Sequence, residues 1–129
     1  MHSSHMFTKL VVDDLDAMAR YYAEVHGLAP VQRLTAELAG SPIEEIMLGI
    51  DGTFGGLILL KWLGQSAPSV GEVLLGFGTS DVHALFDRAT AAGGVVRQEP
   101  QSSPEANGML VGLVADPEGH VAEVVETPR

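Results

Sequence analysis

The chain contains no cysteine, few basic residues and no long apolar run, and each absence narrows the possible functions. Without cysteine there is no disulfide, no thiolate metal site and no cysteine nucleophile. Seven basic residues against 17 acidic ones give a formal net charge of −10, which leaves no basic face for nucleic acid or an anionic membrane. The lack of a long apolar run and of a signal-peptide pattern predicts a soluble, cytoplasmic protein.

The residues that are present are sufficient for one compact domain. At 129 residues, 46% of them hydrophobic, the chain can bury about two-thirds of its unfolded surface in one core. The opening segment 1–6 looks like a vector-derived leader, so His2 and His5 are set aside as candidates for chemistry. We therefore predict a single domain over residues 7–129.

Landmark residues recur along the chain at a constant offset of 67 residues. In this way Asp14 corresponds to Asp81, and Gly27 corresponds to Gly94. An acidic residue before a segment of helical apolar spacing favours a helix start, and a glycine after it favours a helix stop. The chain is therefore predicted to contain two similar units. They cover residues of about 7–64 and 72–127, with a linker at Gln65–Gly71 between them.

Within each unit the pattern predicts one strand, one helix and three further strands. In the first unit, the apolar segment Phe7–Val12 indicates a strand, and helical spacing then continues up to Gly27. A loop is expected at Ala39–Pro42. The second unit repeats this order from Val73 onwards. The fold class is accordingly α+β, built from two βαβββ units.

Two βαβββ units with these landmarks resemble the vicinal oxygen chelate superfamily, which includes glyoxalases, extradiol ring-cleaving dioxygenases and bleomycin-resistance proteins. The resemblance covers Phe7 to Thr127 and depends most on Val11–Tyr22, Gly27-Leu28 and Asp116–Glu126. It implies cupped antiparallel sheets, a cavity shared by paired units, and a homodimer. It also implies that enzymes of the family bind a divalent metal there through four side chains, two from each unit.

Three of those four positions are apolar in this chain. The first, seven residues before Asp14, is Phe7, and the equivalent position of the second unit is Leu74. The third lies within Gly56–Leu59, which offers no ligand atom, and only the fourth, Glu123, carries a carboxylate. One carboxylate does not hold a catalytic divalent ion, which takes three or more protein ligands in such sites. The sequence therefore predicts no metal and no other cofactor.

The remaining cavity surface suits an apolar or aromatic small molecule with one polar or cationic group. Glu123 would supply the acid, and it would be the catalytic general base only if the protein is an enzyme. Lys61 would bring a cation to the cavity mouth if its face of the strand is the concave one. The predicted ligand-binding residues are Phe7, Leu57, Leu59, Lys61, Leu74, Gly76, Val121 and Glu123.

The resemblance favours a metal-free small-molecule-binding protein of the bleomycin-resistance type. Two alternatives stay open: a metal-dependent lyase, isomerase or dioxygenase with displaced ligands, and a degenerate repeat that acts only as a dimerisation or regulatory module. Among the histidines, His26 is expected to cap the first helix, and His83 and His120 are expected to face solvent. The sequence leaves open whether these three converge on a site.

Overall fold

The structure is a computed structural model that describes residues 2–68, 70–71 and 73–128. Positions 1, 69, 72 and 129 lie outside the described residues; they belong to the predicted leader, the linker, the start of the second repeat and the end of the domain. The chain divides into two compact units. The first consists of Met1–Ala23 and Gly27–Pro68, and the second consists of Glu24–His26 and Ser69–Arg129.

The first unit contains one four-stranded sheet and most of one helix. Its elements are β1 (Thr8–Val11), α1 (Leu15–His26), β2 (Ala29–Leu38), β3 (Ser41–Ile50) and β4 (Thr53–Trp62). The strand order is β1-β4-β3-β2, in which β1 and β4 are parallel and the other neighbours are antiparallel. The strand β2 therefore forms one edge of the sheet.

The second unit repeats this arrangement. Its elements are β5 (Leu75–Thr79), α2 (Val82–Ala91), β6 (Val95–Ser102), a short 3₁₀ turn (Pro104–Ala106), β7 (Leu110–Ala115) and β8 (Val121–Glu126). The strand order is β5-β8-β7-β6, again with a parallel first pair. No helix in the described part of the chain is long and apolar enough to cross a membrane.

The predicted α+β class and the two βαβββ units are confirmed, with two corrections. Each sheet is mixed and not purely antiparallel, because a helical crossover returns the chain parallel to its first strand. The expected loop at Ala39–Pro42 is a tight turn at Ala39-Gly40, where both residues have positive φ (52° and 79°). Two successive positive φ angles are typical of a two-residue hairpin turn, so β2 and β3 run without interruption up to it.

Both helices begin and end where the repeat predicts. The Asp14 carboxylate accepts a hydrogen bond from the Ala17 amide at 3.0 Å, and Asp81 caps Ala84 in the same way at 3.0 Å. Gly27 closes α1 with φ of 71°, a left-handed conformation that glycine adopts without strain. The Gly94 amide donates back to the Ala89 carbonyl at 2.7 Å, so Gly94 lies just past the end of α2.

In the first unit, α1 covers one face of the sheet. Arg33 of β2 lies opposite Ile46 of β3 and forms an ion pair with Asp16 of α1. The side chains of Arg33 and Ile46 therefore lie on the face that the helix covers. Ile46 in turn lies opposite Leu59. Because neighbouring residues of a strand point to opposite faces, Glu45 points away from α1.

In the second unit, α2 covers the face that carries Gly112. A Cβ atom at Gly112 would lie 2.6 Å from Cζ of Phe86 on α2. Val124, which pairs with Gly112, is fully buried on the same side. The adjacent residue Glu123 and its partner Gly76 therefore point away from α2.

Candidate functional site

Three of the predicted ligand-binding residues come together on the face of the second sheet that points away from α2. Gly76 and Glu123 are register partners on β5 and β8, and Val121 lies on the same side of β8. A Cβ atom at Gly76 would meet no atom within 4 Å, so the sheet surface is open beside the exposed Glu123 carboxylate. Leu74, just before β5, is 59% exposed. This face therefore offers an accessible apolar surface with one acid, which we call the Glu123 face.

Leu57, Leu59 and Lys61 do not line such a surface, so the structure corrects their predicted position on the face that points away from the helix. Leu57 and Leu59 are buried on the side of the first sheet that α1 covers. The Lys61 ammonium donates a 2.6 Å hydrogen bond to the Asp13 carbonyl just before α1. The physical reason is that β4 is apolar on both faces, so its sequence gives no sign of which face meets the helix.

Phe7 lies on the opposite side of the first sheet, where it adjoins an ion pair that the sequence analysis missed. The Lys9 ammonium is 2.6 Å from Oε2 of Glu45 and 5.6 Å from the centroid of the Phe7 ring. The Glu45 side chain is only 8% exposed and that of Lys9 is 28% exposed. Two local signals mark these residues individually, although neither shows that they meet: Lys9 follows Phe7 by two residues, and Glu45 interrupts an apolar strand face. We call Phe7, Lys9 and Glu45 the Lys9 cluster.

The residues at the family positions do not fit a divalent metal. Phe7 and Leu74 have no donor atom, and the Lys9 ammonium that lies over the Phe7 ring already pairs with the Glu45 carboxylate. Glu123 has Gly76 as its strand partner, so no second ligand faces it from β5. Residues 2–68, 70–71 and 73–128 contain no group of three or more His, Cys, Asp or Glu side chains that could hold an ion.

His120 is buried, which corrects the expectation that it faces solvent. Its Nδ1 lies 2.7 Å from Oδ2 of Asp116, and Oδ1 of the same carboxylate accepts hydrogen bonds from the amides of Glu118 and His120 at 2.9 and 3.0 Å. The Asp116 side chain is 1% exposed. Asp116 thus organises the turn that leads into β8, the strand that carries Glu123. His83 is exposed, as expected.

His26, the last residue of α1, belongs to the second unit and is not a cationic cap. Its ring stacks on Phe77 with centroids 3.7 Å apart and an interplanar angle of 15°. Burial lowers the pKa of His26 to about 4, the positive charge of Arg88 acts in the same direction, and Asp116 opposes them. A neutral ring at pH 7 cannot supply the charge that stabilises a helix C-terminus. Packing against Phe77 therefore accounts for this residue better than capping does.

The lowered pKa of His26 predicts a loss of stability in acid. In the unfolded chain the His26 ring binds a proton near pH 6.5, whereas in the folded chain it does so only near pH 4. The free energy of unfolding should therefore fall as pH drops from 6.5 to 4, by up to about 3 kcal/mol. Urea unfolding at pH 7, 5.5 and 4.5 measures the loss. His26→Gln should remove it, whereas His83→Gln, which alters an exposed histidine, should keep it. An equal acid-side loss in His26→Gln and wild type would contradict the prediction.

A separate cavity of about 250 Å³ lies on the α1 side of the first unit. Its floor is apolar, and Arg33 at its rim pairs with Asp16 and Glu44. The hydrogen bond from Arg33 lowers the pKa of Asp16. None of the predicted ligand-binding residues lines this cavity. The lining residues are Asp16, Ala19, Arg20, Ala23, Pro30, Arg33 and Ile46.

Two βαβββ units, each with a helix on one face of its sheet, define the glyoxalase type of fold. The sequence model of the Glyoxalase/Bleomycin resistance protein/Dioxygenase superfamily matches residues 4–124, so the chain belongs to this superfamily.

Individual relatives agree with this placement. A "Probable lactoylglutathione lyase" of Vibrio cholerae is 27% identical over 128 residues, which cover 96% of this chain and 91% of the relative. A glyoxalase-related enzyme from Fulvimarina pelagi has a structure with a TM-score of 0.69 and 29% identity, covering 96% of this chain and 88% of that one. Glyoxalase I from Zea mays has a TM-score of 0.78 at 20% identity, which shows the fold alone. That match includes 97% of this chain but only 45% of the maize protein.

Proposed function

We propose that this protein binds an apolar or aromatic small molecule without the family metal, and that the Glu123 face is part of the binding surface. The proposal rests mainly on the open space beside Gly76, which lies directly opposite the exposed Glu123 carboxylate. Half-buried Val121 adds apolar area on the same face. Mostly apolar surfaces with a few polar groups are typical of small-molecule sites. The absence of donors at Phe7 and Leu74 supports binding without a metal.

A fluorescence titration with the neutral aromatic probe N-phenyl-1-naphthylamine tests this proposal. We expect saturable binding that is unchanged after treatment with a chelator. Gly76→Leu should weaken binding by about tenfold, because the new side chain fills the open space opposite Glu123. Gly64→Leu is the matched control, since a Cβ atom at Gly64 also meets nothing within 4 Å but lies far from this face in the sequence.

The outcomes separate the possible roles of this face. Equal binding by Gly76→Leu and Gly64→Leu would mean that the ligand lies elsewhere. Loss of binding on chelation, together with elemental analysis that finds about one metal ion per chain in wild type and none in Glu123→Ala, would contradict the metal-free proposal.

The same titration addresses the charge of the ligand. If a cationic aromatic ligand contacts Glu123, then Glu123→Gln should weaken it by up to about 1 kcal/mol, the range for an exposed charge pair, and leave a neutral ligand unaffected. This effect is smaller than that of a buried carboxylate, because Glu123 is exposed in the chain. Whether the protein forms the homodimer implied by the family stays a prediction, which light scattering at micromolar concentration would test.

A metal-dependent lyase is the second candidate, and the similarity to a probable lactoylglutathione lyase favours it. Glu123 is the one family ligand position that keeps a carboxylate, and it would also be the candidate general base. This candidate requires ligands other than Phe7 and Leu74. The metal analysis of wild type and Glu123→Ala decides between the two functions.

A further inference from the structure

We infer that Lys9 binds the anionic group of a ligand, a carboxylate attached to an apolar or aromatic body, on the face of the first sheet that points away from α1. This inference rests on the proposed small-molecule binding and adds the class of ligand that the first unit selects. It concerns the Lys9 cluster, which is separate in the chain from the Glu123 face.

The geometry holds the Lys9 ammonium in a defined place. One side of the ammonium meets Oε2 of Glu45 at 2.6 Å, and the Phe7 ring centroid is 5.6 Å away, within the range of a cation–π contact. An ammonium group has three N–H donors, and Glu45 is its one charged partner among the described residues. The Lys9 side chain is 28% exposed, so part of it is accessible to a ligand.

The surroundings make this cation the main polar feature of the central strands on that face. From Ile43 to Met47 on β3 and from Ile58 to Trp62 on β4, the residues that share the face with Glu45 are apolar. Ile43, Ile58 and Leu60 are buried, so a ligand would reach this face at the more exposed Phe7 and Lys9. A small number of polar groups on an apolar surface is the usual composition of a ligand site. Because the whole chain carries a net charge of −10, an anionic ligand depends on such a local cation.

The buried carboxylate of Glu45 has no other described partner that would explain it. Its Oε2 accepts no well-directed hydrogen bond, so its recorded interaction is the charge contact with Lys9. Burying an ion pair costs desolvation energy, and an apolar pair of similar volume is often at least as stable. Positioning the Lys9 ammonium for a ligand accounts for a pair that stability alone does not require.

Calorimetry with two ligands of nearly identical shape tests the inference: the anion 2-naphthoate and the neutral 2-naphthamide. Lys9→Met keeps much of the side-chain volume but removes the charge. It should therefore lower the affinity for 2-naphthoate by about tenfold and change the affinity for 2-naphthamide by less than about twofold. Glu45→Gln should strengthen the binding of 2-naphthoate several-fold, because the amide oxygen can still position the ammonium while the competing negative charge is removed. A purely structural ion pair would not give this increase.

The chain contains one other lysine, which supplies the matched control. Lys61→Met removes an ammonium from the opposite side of the same sheet, where it bonds to the Asp13 carbonyl, and should leave both affinities unchanged. A second measurement avoids substitution altogether. In wild-type protein whose two lysines carry ¹³C-methyl labels, added benzoate should shift the Lys9 signal and not the Lys61 signal.

The outcomes distinguish this inference from the proposed function. If 2-naphthamide binds but Lys9→Met leaves 2-naphthoate unchanged, or if benzoate shifts neither lysine signal, the role of Lys9 is refuted while small-molecule binding stands. If neither naphthalene ligand binds wild type but N-phenyl-1-naphthylamine does, the role of Lys9 is refuted and the proposed function stands; if none of the three binds, both are refuted. The role of Lys9 and the proposed function are both supported if the affinity for 2-naphthoate falls in Lys9→Met and rises in Glu45→Gln while the affinity for 2-naphthamide stays the same.

Discussion

Gly49→Ala is expected to destabilise the protein by about 3 kcal/mol or more, the largest effect of any single methyl group that we can identify in the first unit. A Cβ atom at Gly49 would lie 1.9 Å from the carbonyl oxygen of Thr53 and 2.8 Å from a methyl group of Val31. The first contact is with backbone, which cannot rotate away as a side chain can. The turn between β3 and β4 would therefore have to change its register, which already shifts at Leu48/Gly49.

Urea unfolding of Gly49→Ala beside Gly64→Ala measures this effect. The control adds the same methyl group where no atom lies within 4 Å, so its free energy of unfolding should stay within about 0.5 kcal/mol of wild type. If both variants unfold at the urea concentration of wild type, the prediction that Gly49 has no room for a methyl group is contradicted.

The second large effect is expected for Asp116→Ala, with a loss of about 3 kcal/mol or more. The carboxylate is 1% exposed and meets the amides of Glu118 and His120 and the ring Nδ1 of His120. Alanine would leave these buried and part-buried donors without the acceptor that now satisfies them. Leaving a buried polar group unsatisfied costs about 1–3 kcal/mol.

The Asp116→Asn variant distinguishes the roles of the two carboxylate oxygens. The amide oxygen can replace Oδ1 as the acceptor for both backbone amides, whereas the amide nitrogen facing His120 Nδ1 requires the other tautomer of that ring. We expect an intermediate loss of about 1–2 kcal/mol in urea unfolding. If the alanine variant is as stable as the asparagine variant, the hydrogen bonds to the backbone amides are not what Asp116 contributes.

The sequence predicted the features that depend on backbone chemistry. Asp14 and Asp81 mark helix starts because few side chains can accept from an unpaired amide, and Gly27 marks a helix end because its φ is positive. The turn at Ala39-Gly40 was missed because alanine is an unusual residue at positive φ. Local constraints of this kind are visible in a single sequence because each one restricts the residue type at one position.

The candidate site was only partly predictable, because side-chain direction depends on packing. Gly76, Val121 and Glu123 share a face as alternation along β8 implies. Leu59 was placed on the wrong face because both faces of β4 are apolar. The Lys9–Glu45 pair joins strands that are distant in the sequence, and no local pattern indicates that contact.

The parallel pairing of β1 with β4 has a consequence for the order of folding. Thr8 pairs with Leu57, so β1 has no partner until the ribosome has released the last strand of the first unit. The adjacent hairpins β2-β3 and β3-β4 involve contacts between near neighbours in sequence, and such contacts form first. A nascent chain that stops before Trp62 would therefore expose an unpaired edge of the growing sheet. Within the first unit, the strand that is synthesised first is therefore among the last to be paired.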